Sequence, residues 1–187
     1  MKTNFLLTSL VIILFTLTAN SQITKGNWMV GGDGSYVNTT ITQNNYTSKY
    51  TITEINPDIG YFIKDKFVIG SHLKFENTLY KDTGGSTHYS SYFLGIYTRY
   101  YFLKQKNIYN LFSQINYDYN IHTSDLTSIG HKYGVKLGGV VFFTNSVGLE
   151  LSFGYDTNTT NVENKNSSLK TDNVKVNIGF HFYLEKK

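Results

Sequence analysis

The segment of residues 173–184 reads Asn-Val-Lys-Val-Asn-Ile-Gly-Phe-His-Phe-Tyr-Leu, and its alternation constrains the whole chain. Val174, Val176, Ile178, Phe180, Phe182 and Leu184 form one set; Lys175, Asn177, Gly179, His181 and Tyr183 form the other. A period of two places the sets on opposite faces of a β-strand. A face this uniformly apolar and aromatic suits a strand that meets lipid on one side and a polar lumen on the other.

Seven further segments carry the same alternation, at residues 28–36, 53–63, 67–76, 92–102, 109–119, 133–143 and 147–155, with the last at 174–182. Their lengths match the roughly 9–11 residues that a tilted transmembrane strand needs. No stretch shows the 3.6-residue period of an amphipathic helix. Over the eight segments the apolar parity holds 44 positions, none of them Asp, Glu, Lys or Arg. The opposite parity holds 37 positions, ten of them charged: Asp33, Glu54, Asp58, Lys74, Glu76, Arg99, Asp118, Lys136, Glu150 and Lys175. An uncharged surface of that extent does not meet water. The fold class expected is all-β, an eight-stranded antiparallel up-and-down transmembrane barrel.

The links alternate in length. Residues 64–66, 103–106 and 144–146 read as tight turns, and 38–50, 81–90, 122–128 and 157–171 as long polar loops. That alternation fits periplasmic turns and extracellular loops. Aromatics cluster at both strand ends, with Trp28, Tyr100, Phe102, Tyr109 and Phe143 toward the turns and Tyr36, Phe75, Tyr92, Tyr133 and Tyr155 toward the loops. Pro57 lies within a strand and lacks a ladder donor, so a bulge or locally loosened pairing is expected there.

Residues 1–21 read as a signal peptide: Lys2, an apolar run over 5–17, then Thr18-Ala19-Asn20-Ser21. The run is too short for a membrane-spanning helix. The remaining chain, 22–187, is one barrel domain, exported to the bacterial outer membrane. It has no cysteine, hence no disulfide framework and no cysteine-linked lipid. The net charge of +4 is spread without a basic stripe, which argues against nucleic acid as a partner.

Three stretches resemble the small bacterial outer-membrane barrels of the OmpA/OmpX-like eight-stranded class. The run from Pro57 through Asp58-Ile59-Gly60-Tyr61-Phe62-Ile63 into Lys64-Asp65-Lys66 is similar to that family's hairpin between strands two and three. The run Leu94-Gly95-Ile96-Tyr97-Thr98-Arg99-Tyr100-Tyr101-Phe102 is similar to its fourth strand. Asn177, Gly179, Phe182 and Leu184 fall where the family carries the C-terminal signal read by the barrel-assembly machinery. The tail Glu185-Lys186-Lys187 departs from it, since many such barrels end on the aromatic. The resemblance implies outer-membrane lipid and the assembly machinery as partners, with unknown extracellular contacts through the loops.

An eight-stranded barrel has an interior just wide enough for side chains to fill. Its charges must pair, because a bare buried charge costs several kcal/mol. The expected lumen network is the ten charged residues with His72 and His181, and Arg99 is its expected hub, serving two carboxylates through one guanidinium. A structural plug is favoured over an ion path on size. No cofactor is expected. His72 and Glu76 share a face but stand about 13 Å apart along a strand, too far for one metal ion. The chain is expected not to be an enzyme; the residues weighed for lipid modification are His131, Ser128, Ser124 and Asp125, with no nucleophile and base shown within reach. The function expected is a structural or surface-interaction role, as a monomer. The alternatives are a secreted lipocalin-like barrel, whose apolar face turns inward around a small ligand, and a lipid-modifying enzyme.

Overall fold

A computed structural model describes residues 23–43, 46–82, 84–123, 128–162 and 168–186. Eight strands follow in order: β1 (Trp28–Gln43), β2 (Tyr46–Lys64), β3 (Phe67–Asp82), β4 (Gly85–Tyr101), β5 (Tyr109–Thr123), β6 (Ser128–Thr144), β7 (Val147–Val162) and β8 (Ser168–Leu184). Each pairs antiparallel with its sequence neighbours, and β8 returns to β1, closing the barrel. The expected fold class is the observed one.

The strands are longer than the alternation suggests, 15–19 residues rather than 9–11. The links expected as long loops are largely ladder: β1 and β2 stay paired to Gln43↔Tyr46, and β3 and β4 to Asp82↔Gly85. Above the lipid both faces of a strand meet water, so the apolar/polar contrast vanishes while the backbone hydrogen bonds continue. Thr, Tyr and Ile remain good strand residues there. About 17 residues tilted near 40° reach roughly 40 Å, against an apolar band of about 25 Å, so the wall overhangs by about 15 Å.

At the other end two connections are tight. β2 passes to β3 through Asp65 and Lys66, with Lys66 at φ 66°, and β6 passes to β7 through Asn145 and Ser146. The ladder register shifts beside both, at Phe62/Lys64 and Phe142/Thr144. The link from β4 to β5 is longer than the tight turn expected at 103–106, because β4 ends at Tyr101 and β5 starts at Tyr109. Asn110 spans it, its side chain bonding the Leu103 N–H at 2.9 Å and the Leu103 carbonyl at 3.3 Å.

Pro57 loosens the ladder without a bulge. It pairs with Gly32 of β1. Toward β3 the bridges run from Ile55↔Phe75 to Asp58↔His72 in one register, with none at Asn56 or Pro57. Gly32 allows the close approach: a Cβ there would lie 2.5 Å from the Asn56 carbonyl oxygen and 2.9 Å from Pro57 Cα.

The closing seam is the shortest. β1 and β8 pair from Trp28↔Leu184 to Ser35↔Asn177 and part above, short of Tyr36, while β7 and β8 pair on to Asn161↔Ser168. The seam thus closes over the lower, lipid-facing length and opens near the upper aromatic ring. β8 ends at Leu184, and Lys186 follows with its N–H 3.3 Å from Asn27 Oδ1.

The apolar parity faces outward. Ile55, Ile96, Ile115, Leu137, Phe153, Val174 and Ile178 are all exposed, and the polar parity is buried inside. A lipocalin-like barrel needs the reverse arrangement, so that alternative is corrected by the geometry.

Candidate functional site: the barrel lumen

The lumen is layered. Its floor, at the tight-turn end, is apolar: Ile23, Met29, Phe62, Val68, Tyr97, Tyr101, Phe112, Val140 and Tyr183 form one buried cluster. The sequence reading weighed the inward parity for its charged residues and did not single this cluster out. Its signal was present in Phe62, Tyr101, Phe112 and Tyr183, inward-parity aromatics at the turn ends of their strands. Ile23 enters from before β1 and is fully buried. The segment is pinned by Lys25 N–H to Asp65 Oδ1 at 2.8 Å, Gly26 N–H to the Phe62 carbonyl at 2.8 Å, and Lys66 N–H to the Ile23 carbonyl at 2.9 Å.

Arg99 lies on this floor, 1% exposed. Its Nη1 donates to Glu150 Oε1 at 2.7 Å and Oε2 at 3.0 Å, and its Nε to Gln114 Oε1 at 2.8 Å. The guanidinium carbon sits 4.3 Å from the centre of the Phe112 ring. Arg99 therefore serves one carboxylate, a correction to the two-carboxylate hub expected. The surrounding tyrosines and Phe112 fill the space a second acid would need. Glu150 also accepts from Tyr183 OH at 3.1 Å and faces His181 Nδ1 at 3.2 Å; His181 Nε2 lies 2.8 Å from Asp58.

The middle layer centres on Asp118, which is fully buried and bonds His72, Lys74 at 2.8 Å and Asn116 at 2.9 Å. Asp118 gathers two partners from β3, His72 and Lys74, and one from its own strand β5, Asn116. Beside it Asp33 pairs with Lys136 and accepts from Asn56 at 2.8 Å.

The upper layer links five strands, β2, β3, β6, β7 and β8. Lys175 bonds Glu54 and Asp156, the latter at 2.6 Å; Lys132 bonds Glu76 at 2.7 Å and lies 3.9 Å from Glu54. Lys132 Nζ also sits 4.6 Å from the centre of the Phe93 ring. The sequence reading omits Lys132 and Asp156 because its segments stop one residue short, at Tyr133 and Tyr155. Extending the same parity by one position finds both. The twelve residues expected in the network all face the lumen, and these two complete it. Seven acids then meet five Lys and Arg side chains, and His72 and His181 each face acids.

Little space is left between the layers. Two cavities of about 10 Å³ each adjoin Asn56, Lys74 and Lys136. That is about one probe sphere, the least that can hold a water.

Of the residues weighed for lipid chemistry, Ser124 and Asp125 lie outside the described residues, as does the side chain of Ser128. His131 faces outward, its Nδ1 2.7 Å from Tyr117 OH, against the Tyr117 and Tyr119 rings. In the C-terminal signal, Asn177 is buried in the lumen and Phe182 and Leu184 are exposed on the outer face. Gly179 admits Asp33, whose Cβ would lie 3.2 Å from a Cβ at that position.

A closed wall of eight antiparallel strands, apolar outside and ion-paired inside, defines the fold class of the small transmembrane barrels. Among solved structures, the outer membrane protein OprG from Pseudomonas aeruginosa aligns with a TM-score of 0.57 at 13% identity, covering 87% of this chain and 98% of that one. A de novo designed transmembrane β-barrel aligns with a TM-score of 0.45 at 16% identity, covering 85% of this chain and 96% of the design. The chain has the outer-membrane eight-stranded barrel fold of OprG. No protein-family model and no curated protein matches it.

Proposed function

We propose that this protein is a monomeric integral protein of the bacterial outer membrane, with a structural or surface-interaction role and a lumen that passes no ions. It is exported by cleavage after residue 21 and inserted by the barrel-assembly machinery. Its turns are periplasmic, its overhanging hairpins face outside, and it catalyses no reaction. The observation that carries this reading is the lumen itself. Three stacked layers of paired charges stand on an aromatic floor, and the two cavities that adjoin Asn56, Lys74 and Lys136 hold about 10 Å³ each. An ion crossing here would have to displace pairs whose separation costs several kcal/mol each.

Purified protein reconstituted in a planar bilayer tests it. No steady ion conductance is expected, and the protein should stay with membranes after alkaline extraction. Stable channel steps would overturn the sealed lumen, and release into the wash would overturn membrane insertion.

A further inference from the structure

The outer wall carries almost no charge. On the outward positions of β1–β4 there is no Asp or Glu, yet two lysines stand there side by side. Lys49 of β2 is the direct partner of Lys81 of β3, and both are exposed. Directly opposed residues on one face have Cβ atoms about 5 Å apart, and like charges so placed repel. Neither ammonium has an acidic partner among the described residues. The flanking outward positions are uncharged or basic: Ser86 of β4 faces Lys81, and His88 lies one step nearer the membrane, opposite Leu79.

The strands that carry the pair are also tied on their other face. On the other face of the same two strands, Tyr50 and Tyr80 pair with ring centres 4.9 Å apart, and Tyr80 OH lies 3.3 Å from Ser48 Oγ. Strand pairing therefore keeps the two lysines opposite each other on the outer face. Its height matters too. Lys81 lies six residues beyond Phe75 of the upper aromatic ring, about 15 Å farther from the bilayer centre for a strand tilted near 40°. That is above the hydrocarbon and level with the sugars of a glycolipid headgroup, on the side of the wall that neighbouring lipids touch.

We propose that Lys49 and Lys81 form a clamp for a phosphorylated sugar of an outer-leaflet glycolipid, with Ser86 as a further hydrogen-bonding group. One phosphate between the two ammonium groups turns a repulsive pair into two charge-assisted hydrogen bonds. The inference rests on the outer-membrane placement proposed above.

The test uses the full barrel in phosphatidylcholine nanodiscs, titrated with lipopolysaccharide carrying a phosphorylated core. Binding is expected to weaken roughly 30-fold in the Lys49→Gln/Lys81→Gln variant, since each lysine near an anionic surface contributes about 1 kcal/mol. Lys49→Arg/Lys81→Arg should bind as the wild type does, and enzymatically dephosphorylated lipopolysaccharide should bind wild type and Gln variant equally weakly. Equal binding of phosphorylated lipopolysaccharide by wild type and Gln variant overturns the clamp. Competition by micromolar inorganic phosphate overturns the glycolipid as the source of the anion. A heat-dependent gel shift checks the barrel separately: its loss in the wild type would undo the membrane reading, whereas its presence with equal binding undoes the clamp alone.

Discussion

Glu54 and Glu76 face each other directly across β2 and β3 inside the barrel, and Lys132 from β6 lies against both, 3.9 and 2.7 Å away. That ammonium offsets the repulsion between the two acids, together with Lys175, which bonds Glu54. Lys132→Met should destabilise the barrel by about 3–5 kcal/mol, as when one member of a buried ion pair is removed. Adding Glu76→Gln should recover part of the loss, because it removes the repulsion that Lys132 had offset. Urea unfolding in phospholipid vesicles measures the coupling. Additive effects would show that the layer does not act as a unit.

Arg99 and Thr98 are neighbours on opposite faces of β4. Arg99→Ala strands Glu150 beneath the network and should cost about 3–5 kcal/mol. Thr98→Ala, on the outer face, should cost about 1 kcal/mol or less. The same unfolding assay compares them. Similar losses at both positions would contradict the assigned faces.

Ile178 is 63% exposed on the outer face of the closing strand, next to Asn177, which is 2% exposed in the lumen. A lysine at Ile178 places an ammonium in lipid at a cost of about 2–4 kcal/mol near the midplane. The wild type should migrate differently on gels before and after boiling, and Ile178→Lys should lose the folded form at lower temperature. If the variant keeps wild-type heat resistance in bilayers, β8 does not face lipid.

Asp65 sits in the β2–β3 turn, outside the membrane. The Lys25 backbone N–H that it accepts, with help from the Gln105 side chain, holds its carboxyl below the ordinary carboxylate range. The anion is the bonded form. Its contribution to pinning the N-terminal segment is complete above the ordinary carboxylate pKa and fades as pH falls through the lowered value. The protection of the Lys25 amide, taken relative to the free-peptide exchange rate at each pH, should fall under acid, and Asp65→Asn should remove that pH dependence. An unchanged acid response in the variant would assign the pinning to the backbone bonds of Gly26 and Lys66 instead.

The sequence by itself determined which way each strand faces. Period-two alternation assigns Ile178 outward and Asn177 inward with no knowledge of neighbours, because successive Cβ atoms point oppositely. Charges excluded from one parity then identify lipid on that side. Strand ends were less legible: from Asn38 to Gln43 the sequence shows no apolar/polar alternation, although backbone pairing continues. Lys132 and Asp156 lie one position beyond the alternating segments, still buried on the inward parity. The partnerships inside the barrel belong to the tertiary structure. Arg99 and Glu150 are 51 residues apart in sequence, and Lys175 and Glu54 are 121 apart. Which acid meets which base depends on strand register and on the stagger of the closed wall, which bring distant residues to one height. Burial then enforces pairing, since an unmatched charge in that space is costly. Inward parity gave Arg99 many possible acids; only the register placed Glu150 beside it and tyrosines where a second acid might have been.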